Sequence, residues 1–161
     1  MLDGLLTAFN IGSIPLLLVA TYVGSCFIIV SHEFGHYFAA RYFGIKIRRV
    51  VIRGCGPVYL KRHKGAIIAI STVILPWKDS GVLLYQPQVL PRYAVACALF
   101  AGPATNLLAG ALLWFIATWL DASALLFVAL LSAGNGVVQL IPGGASDGQL
   151  IWNVYRHNKF G

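Results

Sequence analysis

Long apolar runs alternate with one region of different period along this chain. From Ile14 to about Phe43 nearly every side chain is apolar until His32, and Pro15 sits in the first turn, where a missing N–H costs nothing. That run is long enough to span a bilayer as a helix. Tyr37, Arg41 and Tyr42 close it with an aromatic and basic border. Two further spanning helices are predicted at about Pro91–Leu120 and Ala124–Ile141, joined by the tight polar turn Asp121-Ala122-Ser123. Between the first and second helices the pattern changes. Ile45-Lys46-Ile47-Arg48 alternates, Val50-Val51-Ile52 is a β-branched block, and Gly54-Cys55-Gly56-Pro57 is a turn signal. Val58-Tyr59-Leu60 and Ala66–Leu75 read as further strands, with Lys61-Arg62-His63-Lys64-Gly65 as a hairpin tip. A small antiparallel sheet over about residues 45–75, at the membrane interface, is the expectation. A short helix over about 149–158 follows the loop from Pro142 to Gly148.

Composition supports the membrane class. Of 161 residues, 58% are hydrophobic and 11% are charged, whereas soluble domains carry about 25% charged residues. The length predicts one domain over 1–161. The net charge is +7, and ten of the twelve basic residues lie between Arg41 and Arg92. That placement marks the cytoplasmic side of a multi-pass protein and leaves nucleic acid without a motif. The first helix then ends in the cytoplasm, the second crosses out and the third returns. The three cysteines, Cys26, Cys55 and Cys97, show no C-x-x-C and read as small buried thiols. The N-terminus lacks the basic region of a cleavable signal.

Against this apolar background the ionisable residues stand out, since each is costly in a spanning segment. His32-Glu33-Phe34-Gly35-His36 is an H-E-x-x-H sequence on the first helix. Positions i and i+4 share a helix face, so the two imidazoles can bind one zinc ion while Glu33 serves a water as general base. His32 lies nine residues before Arg41, hence roughly 13 Å below the basic border. Glu33 is the only glutamate. Asp147 returns to the same side of the membrane and is the candidate third ligand. It is equally a helix N-cap, because Asp is favoured there and Asp-Gly is a common turn. Asn106 on the second helix, and Asn135 and Gln139 on the third, fit either interhelical hydrogen bonding or contact with a substrate carbonyl. His63 and His157 lie in basic segments and read as solvated.

Taken together, these segments resemble the site-2 protease family of intramembrane zinc metalloproteases. The resemblance is carried by His32-Glu33-Phe34-Gly35-His36, by Gly44-Ile45-Lys46 through Gly54-Cys55-Gly56-Pro57, by Gly102-Pro103-Ala104-Thr105-Asn106, and by Gln139-Leu140-Ile141-Pro142 through Asp147-Gly148. It implies a three-helix transmembrane catalytic core, with His32, His36 and Asp147 holding one Zn(2+) per chain. It implies Glu33 as catalytic base and Asn106 on the substrate carbonyl. Gly54, Gly56, Gln139 and Pro142 are implied in binding a single-span membrane protein or membrane peptide, added as a strand to the sheet. A prokaryotic inner membrane, with the site toward the cytoplasm, is the implied location. The chain departs from the family at Gln139, where Asn is usual, at Gly144 in place of a second Pro, and at Pro76-Trp77-Lys78-Asp79. No length remains for a PDZ or CBS domain, and a homo-oligomer stays open. Two other classes also remain: a non-proteolytic zinc-binding membrane scaffold, and a small metal or proton transporter.

Overall fold

A computed structural model describes residues 14–74, 82–85 and 90–157. The end of the predicted third strand at Leu75, the departure at Pro76–Asp79 and the last residue of the terminal helix lie outside the described residues. The chain runs α1 (Ile14–Tyr42), β1 (Ile47–Ile52), β2 (Gly54–His63), β3 (Ala66–Ile74), β4 (Val82–Tyr85), α2 (Arg92–Trp119), α3 (Ser123–Leu140) and α4 (Asp147–His157). Among the described residues, three helices are long and apolar enough to cross a membrane: α1 over Leu17–Tyr42, and the whole of α2 and α3. Their ends lie within a few residues of those the apolar pattern predicts.

Local chemistry explains where each helix stops. Gly44 has φ +71°, and the Ile45 N–H donates to Ala40 O at 2.8 Å. This left-handed cap ends α1 and turns Ile45 inward, where it is 1% exposed. At the far end of α2, Asp121 takes φ 51° and the Ala122 N–H donates to Ala117 O at 2.9 Å. Asp tolerates that conformation better than most residues, so a short connection reverses the chain into α3.

The sheet has four strands in the order β2-β3-β1-β4. β2 pairs antiparallel with β3, and β1 antiparallel with β4. One pair corrects the antiparallel expectation: β1 and β3 run parallel, with Val50 opposite Ile68. Arg53 alone separates β1 from β2, fewer than the two residues a tight hairpin needs. β2 therefore does not fold back onto β1. The chain passes the end of β3 instead, and β3 enters between them. β1 also shifts register between Ile47 and Arg49. The irregularity lets Arg48 and Arg49 both stay exposed while Ile47 and Val50 are buried.

The β2–β3 hairpin reaches deeper than an interfacial sheet. Its tip meets the end of α1, with His63 Nδ1 2.7 Å from Tyr37 Oη and Arg41 donating to Lys64 O at 3.3 Å. Its other end meets Cys26, whose Sγ is 4.0 Å from Ile74 O. Cys26 and Arg41 are separated by about 22 Å of helical rise, so the hairpin runs alongside the level of His32. His63 is half-buried against Tyr37 rather than solvated. Cys55 and Cys97 are exposed and Cys26 half-buried, all three as free thiols.

Two apolar clusters tie the layers together. Tyr37 and Ala40 of α1 pack with Ile45, Ile47, Val50, Ala66 and Ala98, joining the sheet to α1 and α2. Val95 and Leu99 of α2 receive Val154 and half-buried Ile151 of α4. α2 is thus the central element, touching α1, α3 and α4. Large apolar side chains on the outside, such as Phe27, Leu108, Leu112 and Phe115, stay uncovered, as lipid-facing positions do.

Candidate metal and catalytic centre

Four elements deliver polar side chains to one buried point. His32, Glu33 and His36 come from α1, Asn106 from α2, Asn135 from α3 and Asp147 from the start of α4. Each of His32, Glu33, His36, Asn106 and Asp147 is buried, and Asn106 is wholly so at 0% exposure. The i, i+4 spacing sets the two rings edge to face, with centroids 4.6 Å apart, and their Nε2 atoms are 3.0 Å apart. Asp147 Oδ2 lies 3.0 Å from His32 Nε2 and 3.4 Å from His36 Nε2.

Asp147 is free to face the rings because Ser146 caps the helix. Ser146 Oγ accepts from the Gln149 N–H at 3.2 Å and donates to Ile141 O at 2.8 Å. The capping alternative for Asp147 is therefore taken by its neighbour, a residue the sequence reading passed over although Ser is as good a cap as Asp. Burial alone would raise the Asp147 carboxyl. The two facing imidazoles outweigh burial and hold it at about 2, below its ordinary 3.8, so it is a carboxylate at neutral pH.

The donor set fits a metal ion. His32, His36 and Asp147 each offer one ligand atom, and these atoms all lie within 4.8 Å of one another. Beyond its approach to the two rings, Asp147 Oδ2 has no hydrogen-bond partner, and neither has Glu33 Oε2, although both are buried. An unpaired buried carboxylate costs several kcal/mol, and a cation at the point where the donors converge would remove that cost. Two imidazoles and one carboxylate also match the ligand types of open zinc sites, which leave a position for water.

Backbone and small residues make room for the cluster. His36 Nδ1 donates to Ala98 O at 2.7 Å, which fixes that ring's orientation. A Cβ placed on Gly102 would collide with His36 Nε2 and come within 2.9 Å of His32 Nε2. Only glycine lets α2 approach the rings this closely. Asn106 Nδ2 is 3.2 Å from His32 Nδ1 and 3.0 Å from Asn135 Oδ1, while Ser31 Oγ is 3.1 Å from Asn106 Oδ1. Ser132 Oγ donates to Asn106 O at 2.9 Å. Ser31 and Ser132 escape a sequence reading because small residues carry no chemical signature of their own, and Gly102 is legible only as part of the Gly-Pro-x-x-Asn segment.

The remaining predicted residues stand apart from the cluster. Gly54 opens the edge strand β2, and Gly56 sits in its irregularity between Cys55 and Val58. Gln139 is half-buried in the last turn of α3, and Pro142 is exposed in the loop to α4. Among the described residues, none of these four hydrogen-bonds to His32, Glu33, His36 or Asp147.

The sequence profile of peptidase family M50 matches residues 20–122, more than half of the chain. The match takes in the His-Glu motif and Asn106 and ends before Asp147. No curated protein matches the chain.

Proposed function

The chain belongs to peptidase family M50, the site-2 protease family of membrane metalloproteases, and on that premise we propose that it is a zinc endopeptidase cutting peptide bonds in or near transmembrane segments. One observation carries the reading: the ligand atoms of His32, His36 and Asp147 lie within 4.8 Å of one another on helices that can cross a membrane, with an unpartnered Glu33 Oε2 buried beside them.

His32, His36 and Asp147 would hold the ion. Zinc, when bound, acts as a Lewis acid and lowers the pKa of water toward about 7. Glu33 takes the proton from the attacking water through its unpartnered oxygen and then passes it to the leaving amine. Burial keeps competing water out and lets a single carboxylate serve both steps. Asn106 can aid the substrate carbonyl only with an amide hydrogen left over by His32, Asn135 and Ser31.

Substrate reaches this point in extended form, since the carbonyls of a helix are shielded by its own hydrogen bonds. β2 supports such binding. It is an outer strand of the sheet, and Val58, Tyr59 and Leu60 are all exposed. An added strand would pair with its open backbone groups, which matters where an unpaired group in lipid costs several kcal/mol. Gly54 and Gly56 lie on that strand, while Gln139 and Pro142 would flank the opposite side. The basic side of the molecule, with Arg41, Arg48, Arg49 and Arg92 exposed, supports a site that faces the cytoplasm by positive-inside bias.

The test is cleavage of a co-expressed single-span membrane protein by wild type and Glu33→Gln. Loss of processing with zinc retained supports the reading, and equal processing overturns it.

A further inference from the structure

Charge is spread unevenly over the sheet. No acidic residue occurs between Glu33 and Asp79, whereas Arg48, Arg49, Arg53, Lys61, Arg62 and Lys64 are all exposed. The strand register sorts two of these cations into one row. Arg49 of β1 and Arg62 of β2 both pair with Ile67 of β3, one from each side. Paired residues share a face of the sheet, so the row reads arginine, isoleucine, arginine. Neighbouring strands lie about 4.8 Å apart, which sets the two arginine Cα atoms about 10 Å apart across Ile67. Among the described residues neither guanidinium meets a carboxylate. Two like charges therefore share one face without a counter-charge.

Below that row the same face turns apolar. Leu60 and Val51 flank Ala69 in the next row, and Val58 pairs with Ser71 in the one after. Leu60 is 62% exposed and Val58 51%, so nothing in the chain covers them. The opposite face carries Val50 and Ala66, which pack against Tyr37 and Ala40 of α1. The arginine face is thus the one turned away from the helices. Depth orders it further. Arg62 adjoins His63 at the hairpin tip, beside Tyr37 and the basic border at Arg41. From there β3 descends to Ile74, beside Cys26 of α1. The cations stand at the border, and the exposed apolar side chains lie below them at membrane depth. An acidic peptide would match the cations and leave the apolar rows unexplained. A lipid has both parts in this order.

We infer that Arg49 and Arg62 clasp the phosphate of one anionic glycerophospholipid, whose acyl chain lies along Leu60 and Val58 on the outer face of the sheet. Arginine suits this task, because its planar guanidinium offers paired N–H donors to phosphate oxygens. Its side chain is also long enough for two, set one strand apart on either side of Ile67, to meet on the same group. An anionic headgroup neutralises the like-charge pair, whereas a zwitterionic one brings a cation of its own. The lipid occupies a face of the sheet and leaves the backbone edge of β2 open, so it holds the sheet at one depth without blocking an added strand. The inference depends on neither the metal nor the protease reading.

The experiment titrates the full chain, in detergent, with phosphatidylglycerol or phosphatidylcholine and counts retained lipids by native mass spectrometry. The wild type binds one phosphatidylglycerol in preference to phosphatidylcholine. Arg49→Gln and Arg62→Gln each weaken phosphatidylglycerol binding about fivefold and the double variant about thirtyfold, the usual worth of one and two basic residues near an anionic surface. Phosphatidylcholine binding is unchanged in all three. Arg156→Gln removes the same charge from an exposed position on α4 and leaves both lipids unaffected. Equal affinity of the wild type for the two lipids overturns the inference, as does a loss in Arg156→Gln equal to that in Arg49→Gln, which would leave only the general field of the basic side. Release of phosphatidylglycerol by an equal concentration of inorganic phosphate would show an anion site without a lipid and overturns it. A double variant that keeps phosphatidylglycerol, yet cuts more slowly a membrane protein with acidic residues beside its span, assigns the row to peptide and overturns it too.

Discussion

The helical centre and the edge strand use polar groups in opposite ways. At the centre, side chains from four helices fill one another's hydrogen-bonding needs, and the oxygens left over point where a cation fits. Position there is over-determined: His36 is held by a backbone carbonyl, and Gly102 leaves no room for a different ring placement. On β2 the open groups are backbone, both faces of the strand are uncovered, and regular spacing is the only instruction. The difference separates two tasks. A change at the centre should alter chemistry on whatever substrate is bound. A change along the hairpin should alter which peptides stay long enough to be cut.

The strongest test of that division is Glu33→Gln. Removing the proposed base lowers kcat about 10²–10⁴-fold, while zinc content and KM hold. A comparable loss with KM rising in step would place Glu33 among substrate contacts and break the division. Gly102→Ala comes next. Alanine favours a helix by about 1 kcal/mol over glycine, so helicity measured by circular dichroism should hold or rise. Yet the added methyl meets both rings, and zinc affinity should fall about 10–100-fold. Loss of helicity in parallel would mean that the glycine serves packing and not the rings.

The same division governs what the sequence reveals. The three spanning helices are legible because runs of apolar residues have one dominant explanation. The meeting of His32, His36 and Asp147 is legible because helix spacing fixes the first two and the folded-back topology returns the third. The parallel β1–β3 pair is not. It follows from the single residue between β1 and β2, and alternation along each strand is the same for either direction of pairing. Ser146, Ser31 and Ser132 are hidden for a related reason. Their duty is set by what happens to lie opposite them, as when Ser146 takes the cap and leaves Asp147 free. His63 reads as solvated from its basic neighbours, but the depth of the hairpin brings it to Tyr37.

Leu60→Pro tests the edge itself. Leu60 pairs with Ala69, and proline there removes an N–H and locally disturbs the strand. Losing one or two backbone hydrogen bonds to a bound peptide, at about 0.5–1.5 kcal/mol each, should raise KM for a membrane substrate about tenfold. Zinc affinity should be unchanged. A fall in zinc affinity would show that strand and centre are mechanically continuous.

The finest cut between the two regions falls at Tyr37. It follows His36 directly in the chain, yet its hydroxyl belongs to the hairpin, 2.7 Å from His63 Nδ1. Its ring is 1% exposed in the apolar cluster that joins α1 to the sheet. Tyr37→Phe keeps that packing and removes only the link to the hairpin tip. One neutral hydrogen bond contributes about 0.5–1.5 kcal/mol, so the expected result is a rise in KM of about threefold with zinc affinity and kcat unchanged. Arg41 still holds Lys64 O, which keeps the effect small. His63→Ala should give the same shift, and the double variant should give no more than either single one, because both remove the same bond. If Tyr37→Phe lowers zinc affinity instead, sequence adjacency to His36 outweighs the spatial tie to His63, and the boundary between centre and edge moves one residue along α1.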